Sequence, residues 1–330
     1  MADMETRALV LGLVLIVELL AGTGLGSVPT FQVEVSQRAR GSHAPSHHDA
    51  DVPRVVVISA IPAELDRLLL IARIDRTVEI AGRTHHVGRL EGHPVVLVLA
   101  GVSMVNAAAS TQAVIDHFDV SAIVFSGIAG GVNPELSIGD VVVPARWGQH
   151  QEMVFARATA GGWDTDGRAG EFENFGMMFT RGQLLMGGGP EVQGLRRRFW
   201  FSVDEDMLLV AREVAAEITL ARCLAGGECL EHQPRVVVGG NGVSGSTFVD
   251  NAEFREWVWR TFAAEALDME TAAICQVATL NGVPFLGFRS LSDLAGGNER
   301  GNQIRVFGPL AADNSAAVLL EFLRAWRGRR

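Results

Sequence analysis

The chain has 330 residues, 48% of them hydrophobic, with 38 acidic against 28 basic side chains and a net charge of −10. That is ample material for a large core. The acid excess excludes a nucleic-acid binder, because phosphate neutralisation needs a basic face, and the short clusters at Arg196, Arg197 and Arg198 and at the C-terminal tail read as solvated surface.

Residues 8–21 form an almost unbroken apolar run, followed by the small-residue stretch Gly22-Thr-Gly-Leu-Gly-Ser27. Residues 1–27 thus have the shape of a secretory signal peptide, short for a bilayer span, which takes roughly 20 apolar residues. Asp3 and Glu5 cancel the usual basic start and Glu18 interrupts the run, so an uncleaved anchor, or a start codon misplaced upstream of a cytoplasmic enzyme, stays open. Cleavage implies a periplasmic or secreted protein with no stable membrane span in its mature form. Residues 28–53 read as a polar linker. Its His43, His47 and His48 are expected to face solvent, since no Cys or carboxylate set completes a metal site.

From Arg54 the pattern changes to short β-branched runs alternating with amphipathic stretches, so residues 54–330 are expected to form one α/β domain. Strands are expected at 55–58, 95–99, 122–125, 140–143, 236–238 and 285–288. Pro62 and Glu64 open a helix, and further helices are expected at 105–118, 205–218, 251–262, 269–281 and 311–326. Residues 157–201 are glycine-rich and break the alternation, as an insertion would; its Trp163, Phe172 and Phe175 either cover a pocket or pack the excursion itself. Cys223 and Cys229, six residues apart, close a small disulfide or remain two thiols; Cys275 stays free.

Four segments fall where open α/β sheets hold ligands, in loops expected after strands. They are Ser59-Ala-Ile-Pro-Ala-Glu64, Ser126-Gly-Ile-Ala-Gly-Gly131, Ser244-Gly-Ser-Thr-Phe-Val249 with Asp268-Met-Glu270, and Arg289-Ser-Leu-Ser-Asp293. Each acid in them has an ordinary explanation. Glu64 suits the third position of a helix, Glu270 a helix start, and Asp293 an Asx-turn. The glycines fit neither a P-loop nor a dinucleotide fingerprint, and neither a metal nor a cofactor is expected.

As an ordered set, these segments with Gly101-Val-Ser-Met-Val-Asn-Ala-Ala108 and Ile138-Gly-Asp140 resemble the nucleoside phosphorylase/nucleosidase superfamily, most closely its methylthioadenosine/adenosylhomocysteine nucleosidase branch. The resemblance runs from about 54 to 326, with gaps at 157–201 and 223–233. It implies an α/β fold with a mixed, mostly parallel central sheet between helices in three layers, and a purine nucleoside as substrate. It also implies roles: Glu64 deprotonating the attacking water with Arg289 nearby, Met269 and Glu270 holding the ribose, and Asp293, beside Ser292, delivering a proton toward purine N7. Phe248 would stack on the base, and the Val249 backbone would read its Watson-Crick edge. Ile128 stands where the branch has a small polar residue, in the water or ribose neighbourhood. The family is usually a homodimer whose partner loop closes over the 5′ substituent, which makes 101–105 and 304–307 candidates for that contact.

Hydrolysis is expected over phosphorolysis, because the places where related phosphorylases carry arginine and serine resemble Phe125 and Ile128 here, and Glu64 would repel phosphate. The runs Gly239-Gly-Asn-Gly-Val-Ser244 and Phe248-Val-Asp-Asn251 are also similar to the exported bark and vegetative storage proteins of plants. A non-catalytic nucleoside-binding protein on the same fold is therefore the alternative.

Overall fold

The computed structural model describes residues 52–186, 195–297 and 301–326. The leader-like run, nearly all of the linker and their histidines lie outside the described residues. Those described belong to one compact unit spanning 45–330.

Valine-rich runs build the centre of the sheet, because β-branched side chains buried on both faces suit a helix-covered strand. In β1 (Arg54–Ser59), Val55 to Ile58 are all buried, as are Val95 to Val98 in β4 (His93–Leu99). Between them the chain makes helix α1 (Pro62–Ile71) and a hairpin absent from the sequence expectation, β2 (Arg73–Ile80) and β3 (Arg83–Leu90). Helix α2 (Met104–His117) then leads to β5 (Val120–Gly131), β6 (Val141–Val143) and β7 (Arg146–Gln149). Six short strands follow, paired as three small antiparallel ribbons: β8 (Met153–Phe155) with β11 (Met178–Thr180), β9 (Arg157–Thr159) with β10 (Gly162–Asp164), and β12 (Gln183–Met186) with β13 (Leu195–Arg198). The chain returns through β14 (Trp200–Ser202), α3 (Glu205–Glu217), β15 (Val236–Val238), β16 (Asn241–Ser244), α4 (Ala252–Phe262), β17 (Ala264–Asp268), α5 (Thr271–Leu280), β18 (Phe285–Asp293) and α6 (Ile304–Ala325).

The main sheet runs β14-β7-β16-β17-β5-β1-β4-β3-β2, with β18 paired to β5 and β6, and β15 to β6. β1 lies parallel to β4 and β5, and β18 parallel to β5, whereas the β2-β3-β4 meander and the β17–β5 pair are antiparallel. The sheet is mixed and flanked by helices, α6 packing on β18 and β5 with α1 and α3 beside it, and α2 pairing with α5.

Two expectations are corrected. Ser126 to Gly131 and Arg289 to Asp293 are not loops: both continue their strands, and β5 and β18 stay in register from Phe285↔Ile123 to Leu291↔Ala129, with a one-residue shift before Asp293↔Gly130. Their small residues read as breakers, but at Gly127, Gly130 and Gly131 other side chains crowd the space a Cβ would need. Helix α6 starts at Ile304 rather than 311, with Pro309 inside it. The proline forgoes one bond near the helix start, a cheaper place than the middle, and the Ile304 N–H is held by Asn302 Oδ1 at 3.0 Å. By length and hydropathy α6 could span a membrane, yet 67% of its apolar window is buried in the fold. Cys223 and Cys229 are disulfide-bonded, and Cys275 is a buried free thiol.

Candidate active site

The helix start fixes Glu64. Pro62, with no N–H to leave unpaired, opens α1, and Glu64 one turn in folds its carboxylate back over the start. Oε2 accepts from the Ala60 and Ile61 N–H groups at 2.7 and 3.1 Å. Oε1 reaches across to β5 and accepts from the Ile128 N–H at 2.8 Å. The capping role and the site role are thus one geometry. Glu64 is 2% exposed, and burial raises its pKa above the ordinary carboxylate value against the opposing pull of Arg289 and the three N–H donors.

Arg289 comes from the middle of β18 and is buried among acids. Its Nε lies 3.1 Å from Asp268 Oδ2, an ion pair by distance though not aligned as a hydrogen bond, and one Nη lies 3.5 Å from Glu270 Oε2. That same nitrogen donates to the Ile128 carbonyl, and the guanidinium sits 4.4 Å over the Phe125 ring centroid. Phe125 therefore stacks on the arginine. Gly127 makes room for this: a Cβ there would stand 2.4 Å from Arg289 Nη1 and 2.5 Å from Glu64 Oε1.

Glu270 is the N-cap of α5 but makes no capping bond. Its Oε1 accepts instead from the Ser103 N–H at 2.8 Å, on the turn before α2. Burial, and next the neighbouring Asp268, push its pKa up to about 7, while Arg289 opposes them. The capping falls to Asp268, whose Oδ1 accepts from the N–H groups of Glu270 and Thr271 at 3.3 and 3.2 Å and from the Ser244 hydroxyl.

Asp293 ends β18. Its Oδ1 accepts from the Ala295 N–H at 2.8 Å, the anticipated Asx-turn, and the Ser292 hydroxyl stands 2.9 Å from its Oδ2. Burial raises its pKa, opposed by those bonds and by one from Asn302. Gly130 lies beside Asp293 as Gly127 lies beside Glu64. Three residues of β5 separate these two positions, roughly 10 Å of strand.

A cavity of about 180 Å³ gathers all nine anticipated residues: Glu64, Ile128, Phe248, Val249, Met269, Glu270, Arg289, Ser292 and Asp293. Val102 and Ile304 also line it, one from each segment anticipated near the 5′ substituent; Phe307 does not. Phe248 is 55% exposed and forms an outer wall. The sequence reading gave no role to Asp268, although it ties Ser244, Glu270, Thr271 and Arg289 together. Its position at the end of β17, beside Ser244 at the end of β16, was the available sign.

A family model described as the phosphorylase superfamily matches residues 54–324. This chain belongs to that superfamily. This superfamily member is 30% identical over 269 residues to the 5′-methylthioadenosine/S-adenosylhomocysteine nucleosidase of Mycobacterium bovis, an alignment covering 82% of this chain and 96% of that one. It is 26% identical to the solved structure of the Streptococcus pneumoniae nucleosidase of the same name, bound to the transition-state inhibitor MT-ImmA, with a TM-score of 0.60 over 82% of this chain and 99% of the other. Bark storage protein A of Populus deltoides is 24% identical over 76% of this chain and 80% of its own.

Proposed function

We propose that this chain hydrolyses the N-glycosidic bond of a purine nucleoside such as 5′-methylthioadenosine or S-adenosylhomocysteine and releases adenine. The observation that carries the reading is the division of acids in one cavity. Glu64, Glu270 and Asp268 surround the lone guanidinium of Arg289, while Asp293 lies apart from them at the end of β18 beside Ser292.

Adenine leaves poorly as an anion, and protonation at N7 by Asp293, whose pKa burial raises, makes it a neutral leaving group. As the C1′–N9 bond breaks, both of its electrons go to the base and positive charge grows on the ribose. The carboxylates around Arg289 outnumber it, so the field there favours that cation. Water attacks C1′ and loses a proton to Glu64, whose raised basicity suits the task. Glu270 and Met269 hold the ribose, and Phe248 and Val249 hold the base. Phosphate fits poorly as nucleophile, because the one guanidinium among the cavity's lining residues is flanked by carboxylates, which repel a second anion.

Incubation with methylthioadenosine, adenosylhomocysteine, adenosine and inosine, with and without phosphate, tests the reading. Base release at the same rate in both buffers is expected. A strict phosphate requirement makes the chain a phosphorylase, and tight binding without turnover makes it a storage or receptor protein.

We also propose a homodimer. Val102, Val105, Leu184 and Leu280 are exposed apolar side chains on or beside the α2 and α5 helices and the β12 strand, and Val102 also lines the cavity, so a second copy there would bury them and close the mouth. Sedimentation is expected to show about twice the 35.4 kDa chain mass; a monomer at micromolar concentration refutes it.

A further inference from the structure

Behind Phe248 lies a second, larger recess of about 700 Å³, which shares Thr247, Phe248 and Val249 with the catalytic cavity. Its other walls are the apolar Met153, Phe155, Phe175, Met178 and Phe254 and the polar Gln151, Asp250 and Asn251. Five large apolar side chains facing one recess on a surface are an unusual exposure, and Phe155 is 63% exposed. The floor is fixed in place: Phe254 packs on Phe175 and Trp257 with ring centroids at 5.2 and 4.9 Å. The β8–β11 ribbon supplies the facing wall, and Gln151 donates to the Thr247 hydroxyl across the junction.

The recess adjoins the catalytic cavity at one end only. Two of its three shared residues, Phe248 and Val249, are those assigned to the base, and none of Glu64, Glu270 or Arg289 lines it. A purine seated between Asp293 and the 247–249 segment, with N7 toward Asp293, presents the amine at C6 on the same edge as N7. With that edge facing residues 249–251, a group on the amine would extend toward the recess behind them. An apolar group there loses water on several sides at once, whereas the ribose and its 5′ substituent point away.

Resting on the nucleosidase reading above, we propose that the recess is a subsite for an apolar substituent on the exocyclic amine of the base, so that the site takes N6-alkyl or N6-arylmethyl purine nucleosides in preference to unsubstituted ones. The occupant follows from adjacency: the recess shares the 247–249 wall with the base end of a nucleoside cavity, and Met153, Phe155, Phe175, Met178 and Phe254 give it a mostly apolar lining with Gln151, Asp250 and Asn251 on its polar side.

Binding of free bases separates this proposal from the catalytic one. Adenine and N6-benzyladenine are titrated into the full chain and into Phe155→Asp, which changes an exposed side chain outside the catalytic cavity. The expected result is at least tenfold tighter binding of N6-benzyladenine by the unaltered protein, the effect of burying about one ring. In Phe155→Asp that advantage shrinks about tenfold, with adenine affinity and thermal stability unchanged. Equal or weaker binding of N6-benzyladenine overturns the proposal, as does an advantage that survives the substitution. A dimer that Phe155→Asp dissociates, with no discrimination between bases, shows the recess to be a subunit contact and overturns it too. If bases bind as expected but no nucleoside is cleaved, the hydrolytic reading fails and the subsite stands; if neither base binds, both fall.

Discussion

Asp293→Asn is expected to lower kcat by about 10³-fold, within the range for loss of a general acid, while leaving the fold intact. The amide keeps the oxygen that accepts from the Ala295 N–H and can donate to the Ser292 hydroxyl, so the Asx-turn survives. It cannot release a proton to N7. The pH profile provides a second readout. Burial raises the Asp293 pKa above its ordinary 3.8, so the active, protonated form persists to higher pH, and kcat/KM falls as pH rises through the folded value. That limb is expected to vanish in the variant. Stability follows the same sign: a raised carboxyl pKa contributes stability below the unfolded value, lost as pH rises through the folded one, and the variant loses that slope. Turnover near normal in Asp293→Asn would refute the assignment of the proton donor.

The second large effect is expected from a glycine. Gly127→Ala places a methyl 2.4 Å from Arg289 Nη1, 2.5 Å from Glu64 Oε1 and 2.8 Å from the Glu64 Cδ. Neither side chain is free to retreat, since Glu64 is held by three N–H groups and Arg289 by two acids and a carbonyl. A stability loss of about 1–3 kcal/mol is expected, typical of overpacking a filled interior. With it goes a fall of about 10²-fold in kcat, as the base leaves its line with the attacking water. Gly161→Ala, where nothing lies within 4 Å, is the control and is expected to be neutral in both denaturation and turnover. Equal behaviour of the two variants would show that the close approach at Gly127 carries no function.

The buried valine runs of β1 and β4 and the periodic helices were legible in the sequence, because their composition and their environment agree. The β2–β3 hairpin was not. Arg73-Ile-Asp-Arg-Thr-Val-Glu-Ile80 is mostly polar, and Ile80 is its only buried residue, so its strand character comes from backbone pairing at the sheet edge rather than from an apolar face. The extensions of β5 and β18 were hidden for another reason. Glycine weakens a strand signal, and the space a Cβ would need at Gly127, Gly130 and Gly131 of β5 is crowded by Glu64, Arg289, Asp293 and Leu291, all far from them in sequence. Nine of the residues that line the cavity were anticipated through the order of their motifs; individually each reads as a cap, a turn or a core residue. Asp268 was missed because its partners, Ser244, Thr271 and Arg289, meet only in the fold.

The paired ladders of β5 and β18 divide labour between parts of the chain that can change at different rates. Asp293 and the Ile128 amide that holds Glu64 sit on paired strands, where insertion of a residue would reverse every side chain beyond it. The outer walls beyond Phe248 come from short ribbons and the turn before α4, which tolerate lengthening and substitution. A lineage, or a protein engineer, could therefore redirect this scaffold toward a differently decorated nucleoside by editing 151–178 and 247–254, leaving the bond-breaking machinery untouched.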